Sequence, residues 1–452
     1  MKRNIFVSVV LVITIIVLSS LSVFAEEDKT ITIWSMSRGA DIDFNAEFLE
    51  RYNQTNEDGV TLKVETYTDN FFQVVDIAAA TGGPDIIDFP NTISVFTKYV
   101  GNGYYVPIDK YMSDEDKALW NDYAIEGVTA YNGEYYMYPI FATTGRLVYN
   151  QDIFDRVGIT SPPTTLSEMV ADARLITETL SGEGIFGFAG NFKSPTGALQ
   201  RSMDFLIERS GGPAQGFDFK QGRYDFTKFY PEFVKAYREM FADGIMFPGC
   251  ESLDIDPLRT QFAEGKIGMY ISWAHAEPNV YSSQFKTDIN WNGAPLPVVD
   301  GYEPATQTVT FRGSYLITKD AKYPDLAWKA LNATFLSPEY IRAYQEAGYG
   351  SCLNQKVVEG VKTADMLVGR ENFLIGPSDA LWPATPMELN SQAVLVEGED
   401  MYATIFSLIL GDEDIDKALT NLTARYNNAY EKGIEQGVGK VVHMPDFDPA
   451  NP

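Results

Sequence analysis

The sequence predicts an α/β protein with a parallel sheet, and three patterns in its first ninety or so residues predict it. Thr30-Ile31-Thr32-Ile33-Trp34 alternates polar and apolar side chains as a half-buried strand does. Phe44, Phe48, Leu49 and Tyr52 then share one side of a helix, and a second alternating strand runs from Val60 to Tyr67 with Val60, Leu62 and Val64 on one face. Gly82-Gly83-Pro84-Asp85 is a turn that opens into a short buried strand, Ile86-Ile87-Asp88-Phe89. In such a sheet ligands sit at the carboxyl ends of the strands, here Trp34–Arg38, Tyr67–Asn70 and Asp88–Thr92.

The later elements follow from similar signals. Gly145 to Tyr149 is a further apolar stretch around Val148. After Pro162-Pro163, Thr165-Leu166-Ser167-Glu168 reads as a capping box, and Met169, Ala173 and Ile176 continue the helix. A helix is expected over Leu326–Leu336, and Ser337-Pro338-Glu339 starts another with proline at its first position. The tail Pro445–Pro452 is expected to be loose, and no repeat or long Gly/Ser linker divides the chain.

Composition narrows the function. The 452 residues suit two or three domains and carry 35 Lys plus Arg against 62 Asp plus Glu, a formal charge of −27. That balance argues against sequence-independent nucleic-acid binding and gives no support for an anionic membrane surface. Two histidines leave little room for imidazole chemistry, whereas 6 Trp, 26 Tyr and 28 Phe offer many ring faces. Aromatic and acidic side chains suit holding a ligand; glycosidases share them, because they work with carboxylates.

Met1-Lys2-Arg3, the apolar run Ile5–Leu18 and Val23-Phe24-Ala25 have the order of a secretory leader, with cleavage expected after Ala25. At about 1.5 Å per residue the apolar run reaches ~21 Å, short of the ~30 Å needed to span a bilayer. No cysteine adjoins the cleavage site to carry a lipid, and no other stretch is long and apolar enough to insert in a membrane. In an oxidising compartment Cys250 and Cys352 either form a disulfide, closing a segment of about 100 residues for roughly 4–5 kcal/mol, or remain two buried thiols.

Several stretches resemble the extracellular sugar-binding proteins of ABC importers, the family that includes maltose-binding protein. They are Gly83-Pro84-Asp85-Ile86-Ile87, Tyr131-Asn132-Gly133-Glu134-Tyr135-Tyr136-Met137-Tyr138-Pro139-Ile140, Leu147-Val148-Tyr149-Asn150-Gln151-Asp152-Ile153-Phe154 and Pro162-Pro163-Thr164-Thr165. Phe262-Ala263-Glu264-Gly265-Lys266-Ile267-Gly268-Met269 and Ser314-Tyr315-Leu316-Ile317-Thr318 extend the likeness almost end to end after the leader. Each is modest alone; their order and spacing carry the resemblance. It implies a two-lobe periplasmic binding protein fold with a multi-crossing hinge, the crossings near Ala142–Thr144, Thr308–Phe311 and Tyr349–Leu353. Lobe one is then 26–142 plus 311–350, and lobe two 143–310 plus 351–452. It also implies a freely diffusing periplasmic monomer that needs no cofactor or metal, performs no catalysis, and hands a sugar, expected to be an oligosaccharide, to ABC transporter permease subunits.

A sugar needs ring faces for its C–H surfaces and planar polar groups for its hydroxyls. By the resemblance, Trp273 and Phe89 fall at ligand-stacking positions and Arg38 at a position that meets ligand hydroxyls. Trp382 is a further wall or a helix anchor, and Tyr349 lies at the third crossing. Asp69 and Asn70 end the second strand, as ligand contacts or helix caps; Asn91, Thr143 and Arg312 lie on cleft or hinge segments. Arg38, Arg146 and Arg312 together could clamp a carboxylate, which points to an acidic, uronic-acid-type saccharide. His275, beside Trp273, is expected to donate a hydrogen bond. Asp412-Glu413-Asp414-Ile415-Asp416 begins like a calcium loop, but Lys417 and Thr423 stand where an EF-hand needs Gly and Glu, so an acidic helix N-terminus is expected. The rival readings are a secreted glycosidase or lyase with paired carboxylates, or the same fold binding a polyamine, peptide or phosphate ester.

Overall fold

The computed structural model describes residues 29–36, 41–67, 70–89 and 93–452. The leader 1–25 lies outside the described residues, as do Arg38, Asp69 and Asn91. The chain opens with β1 (Lys29–Ser35), α1 (Ile42–Thr55), β2 (Val60–Thr66), α2 (Phe71–Thr81), β3 (Ile86–Phe89) and α3 (Ile93–Gly101). After a short strand β4 (Phe141–Thr143) come β5 (Gly145–Asn150), α4 (Gln151–Val157), α5 (Leu166–Leu180), β6 (Phe186–Ala189), β7 (Ile267–Trp273) and β8 (Trp291–Ala294). The chain then returns through β9 (Thr310–Arg312) and β10 (Ser314–Ile317), and later β11 (Ser351–Cys352).

Two four-stranded sheets result. The first has the order β10-β3-β1-β2, with β1 parallel to β2 and β3 and with β10 antiparallel to β3. Its parallel half is the pattern read from the sequence. The second has the order β8-β5-β7-β6; β5 runs antiparallel to β7 and β8, and β6 parallel to β7. Between them, β9-β4-β11 form a small antiparallel sheet in which Thr310 faces Thr143 and Ser351 faces Ala142. The three segments expected to cross between lobes are thus neighbours in one sheet.

Each large sheet has its own core. Ile31, Ile33, Leu62, Ile86 and Ile317 pack with Tyr340 and Tyr344 around the first, while Leu147, Phe154, Met169, Phe188 and Tyr270 are central to the second. Val357 and Val358 join the first core, and Arg342 Nη1 donates to the Val357 carbonyl at 2.9 Å. By packing, therefore, the chain stays with the first sheet about ten residues past the expected crossing at 350. The two cysteines sit one in each core and are unpaired. Their placement in separate cores replaces the disulfide alternative with two buried thiols, which burial pushes up to about 12.

Local chemistry sets the element ends. Thr165 Oγ1 accepts from the Glu168 amide while the Glu168 carboxylate reaches back to Thr165 N at 3.2 Å, the capping box expected for α5. Asp414 caps helix Ile415–Glu435 by accepting from Lys417 N at 2.9 Å, which gives the acidic run its role. The helix expected over Leu326–Leu336 occupies Pro324–Ala333, because Pro324 can serve as its first residue and Thr334 Oγ1 closes its end on the Ala330 carbonyl. The tail is anchored rather than loose: Phe447 packs on Phe219 and Trp382, and the Pro449 carbonyl accepts from Thr306.

Gly187 lets α5 lie directly on β6, since a Cβ there would fall 1.9 Å from the Ala173 carbonyl oxygen. Gly187→Ala is expected to lower stability by about 1–3 kcal/mol, read as a reduced urea midpoint at unchanged slope.

Candidate functional site

The strand ends of the second sheet, the small crossing sheet and the start of α3 enclose a cavity of about 420 Å³. Its apolar walls are Trp273, Phe205, Phe311, Leu381 and Trp382, with Ile93 of α3 on the side of the first sheet. Trp273, half-buried at the end of β7, meets Phe205 edge-on at 5.2 Å. Trp382 is 3% exposed; its Nε1 donates to Thr306 Oγ1 at 3.0 Å and its ring rests on Phe447. It is both wall and anchor, though of the C-terminal tail rather than of a helix.

A buried charge aims Trp273. Glu277, fully buried, accepts from Ser272 Oγ at 2.5 Å, from Tyr270 OH at 2.6 Å and from the Arg259 guanidinium at 2.7 Å. This satisfied network straps the last residues of β7 to the turn that follows. On the other side of the turn, Thr143 Oγ1 bonds His275 Nδ1 at 2.8 Å and Ala274 N donates to the Thr144 carbonyl at 2.9 Å. Thr143 and His275 thus fasten the turn to the crossing strand β4. Burial first, then Arg312, Arg259 and Arg201, depress the His275 pKa to about 3, so its ring is neutral at physiological pH. His275 lines a separate narrow crevice with Tyr349, whose ring packs on Phe44 and Tyr344 at 5.4 Å each. Neither lines the cavity of Trp273.

Arg146 and Arg312, the two described arginines of the expected clamp, are each engaged by carboxylates of the protein itself. Arg146 is buried and spent internally: Nη2 meets Asp379 at 2.6 Å, Nε donates to the Asn372 carbonyl and Nη1 to the Gly145 carbonyl. Arg312 is exposed over part of its surface, but its guanidinium sits among two carboxylates, Asp41 and Asp88, and the Tyr344 hydroxyl; desolvation there opposes its charge, and these partners hold its pKa up. Asp88 itself, accepting from Ser35 Oγ at 2.7 Å, is raised to about 6 by burial, against the pull of Ser35 and Arg312. Asn70 precedes α2 with its side chain making no capping bond, and Phe89 ends β3 opposite Ser314.

Sequence reasoning passed over the acids of this cavity. Asp204 and Glu208 lie one turn apart on the helical segment 195–209, which contains a π-type turn over Gln200–Asp204. Both line the cavity, as do Glu388 and Gln215, and Gln215 adopts a left-handed φ of 47° while donating to Glu388 Oε1 at 3.2 Å. Asp204 Oδ2 accepts from Tyr402 OH at 2.7 Å. Burial raises Asp204 to about 8, Glu208 well above the ordinary carboxyl range, and Glu388 as well. The available signal was Asp204-Phe205-Leu206-Ile207-Glu208, two acids at i and i+4 framing an apolar run.

The sequence pattern of the bacterial extracellular solute-binding proteins matches residues 41–340. A Brucella abortus chain described as a binding protein is 27% identical over 254 residues, 56% of this chain and 58% of that one. The chain therefore spans less than two thirds of that relative's length. The diacetylchitobiose binding protein DasA of Streptomyces coelicolor is 21% identical over 69% of this chain and 70% of its own. The structure is similar to the cyclic α-maltosyl-1,6-maltose binding protein of Arthrobacter globiformis (TM-score 0.70, 16% identity, 90% of this chain and 100% of that one). It is also similar to the GacH receptor of Streptomyces glaucescens (TM-score 0.68, 18% identity, 90% and 99%). These likenesses bear out the two-lobe fold. Among the described residues no helix is long and apolar enough to cross a membrane.

Two outcomes check this placement. Arg146→Met leaves Asp379 buried without its cation and is expected to cost about 3–5 kcal/mol in urea denaturation. Asp204, raised in the fold, contributes stability that is present below its unfolded value of about 3.9 and lost as pH rises towards 8. Asp204→Asn should therefore raise the melting temperature at pH 8 and change it little at pH 4.

Proposed function

The chain belongs to the bacterial extracellular solute-binding proteins, and from that premise we propose that it captures a sugar, by the family resemblance an oligosaccharide, and delivers it to an ABC importer without transforming it. The observation that carries this is the cavity itself: the half-buried Trp273 lines it with Phe311, Gln200, Gln215, Thr308 and three carboxyl groups, a pairing of apolar and hydrogen-bonding surface that suits a pyranose. Its position across the β9-β4-β11 sheet supports closure of the lobes on the ligand, a hinge motion that excludes water and presents a closed form to the permease.

We take residues 26–142 with 311–350 as lobe one and 143–310 with 351–452 as lobe two, the packing of Val357 and Val358 supporting a boundary nearer 361. Export through the leader 1–25 and a free periplasmic life as a monomer fit the family's extracellular character. The uronate-directed form of the ligand loses support with Arg146, whose donors are committed to Asp379 and backbone carbonyls. The glycosidase reading rests on carboxyl groups that the cavity does hold, so turnover is measured alongside binding.

A thermal-shift screen of neutral, acidic and basic mono- and oligosaccharides tests the proposal. At least one should raise the melting midpoint progressively with concentration and be recovered intact. Absence of any shift, or hydrolysis of the stabilising sugar, overturns it. For that sugar, Trp273→Ala should weaken binding by about 2 kcal/mol, roughly thirtyfold, in calorimetric titration.

A further inference from the structure

The two lobes touch directly beside the cavity. Ile93 of α3 lines it from lobe one, and Glu388 of the helical turn Pro386–Leu389 lines it from lobe two. One turn further along α3, Thr97 Oγ1 donates to the Leu389 carbonyl. The half-buried Leu389 side chain packs against the core of the second sheet and also against a third cluster, where Ile87, Phe96, Val128 and Tyr136 of lobe one gather. It enters lobe one at a notch made by Gly127, where a Cβ would fall 2.1 Å from Leu389 Cδ2. A second contact joins the same two bodies: Lys440 Nζ of lobe two lies over the Tyr131 ring of lobe one at 4.7 Å.

Lobe two carries the Pro386–Leu389 turn. Gln215 Nε2 donates to Glu388 at 3.2 Å, and Asn390 Nδ2 donates to the Val438 carbonyl at 2.9 Å. Before the turn, Trp382 is fixed by Thr306 and Phe447. Ile375, Leu381 and Ala384 join the third cluster beside Val309 and Phe311, next to the pivot, where a rotation displaces atoms least. The contacts of Leu389 with Thr97 and Gly127, and of Lys440 with Tyr131, are the ones that part when Ile93 is drawn away from Glu388.

We propose that Leu389 in the Gly127 notch, with Thr97 and the Lys440–Tyr131 pair, is a latch that holds the lobes closed and so sets ligand affinity from outside the ligand's own contacts. The inference rests on the reading of sugar capture by lobe closure and deepens it. A saccharide that binds only the closed form has an apparent Kd equal to its intrinsic Kd divided by the closed fraction. Weakening the latch lowers that fraction, and with it the affinity, while every residue lining the cavity is unchanged.

The test is small-angle X-ray scattering of the whole chain with no saccharide added, on the unmodified protein, Leu389→Ala and Lys440→Gln. The unmodified chain should scatter as the closed arrangement does. Leu389→Ala should move the equilibrium roughly tenfold towards the open form, read as a larger radius of gyration at unchanged far-ultraviolet circular dichroism. A saccharide that stabilises the chain in the thermal-shift screen should bind this variant more weakly, by the ratio of the two closed fractions. Lys440→Gln, at an exposed site, should act in the same direction and decides the question should Leu389→Ala fold poorly. Variants that scatter like the unmodified chain, or an unmodified chain already open, would overturn the latch and leave sugar capture standing. A latch that behaves as expected while no saccharide of the screen raises the midpoint would overturn sugar capture alone.

Discussion

The small β9-β4-β11 sheet is the constraint on which the rest of the molecule depends. Two cores, each built on its own four-stranded sheet, are joined by chain segments that must leave one and enter the other without stranding backbone donors and acceptors. Pairing the crossings with one another satisfies them, and it places Thr143, Thr310 and Ser351 in a fixed register midway between the cores. Two of the residues that line the cavity are positioned from this ribbon: Phe311 directly, Trp273 through the turn that Thr143 and Thr144 hold. A strand pair bends more easily than a packed core, so the ribbon is also where the two bodies can move.

Around it, the buried charges divide into two kinds. Arg146 with Asp379 and Arg259 with Glu277 are ion pairs surrounded by further hydrogen bonds, and each ties a loop to the strand behind the cavity. Their charges are paired inside the protein, so they specify geometry, although Asp379 Oδ1 has no hydrogen-bond partner among the described residues. Asp204 and Glu208 are as deeply buried yet incompletely bonded.

Much of the architecture was legible because it rests on local rules. The alternation in Thr30–Trp34 and Val60–Thr66 and the Thr165–Glu168 capping box depend on side chains a few residues apart, and they appear where the pattern put them. Trp273 followed from the family resemblance and its position at a strand end. Arg146 misled because a guanidinium in a strand carries no mark of its partner; Asp379, more than two hundred residues away, absorbs it. The C-terminal tail misled similarly, since its polar composition hides that Phe447 has Trp382 and Phe219 to pack on.

By itself, then, the sequence determined the α/β class, most element boundaries near the N-terminus, the places where the chain crosses between sheets and the ring that walls the cleft. The class and the boundaries follow from periodicity and capping, which act over short separations; the crossings and Trp273 came from the family resemblance. Only the tertiary structure decided which charged groups are paired. The fold pairs Arg146 with Asp379, sets Arg312 among Asp41 and Asp88, and buries Asp204 and Glu208 with burial raising the pKa of both. Which charges survive unpaired is a matter of contacts between distant segments, and no local pattern encodes them.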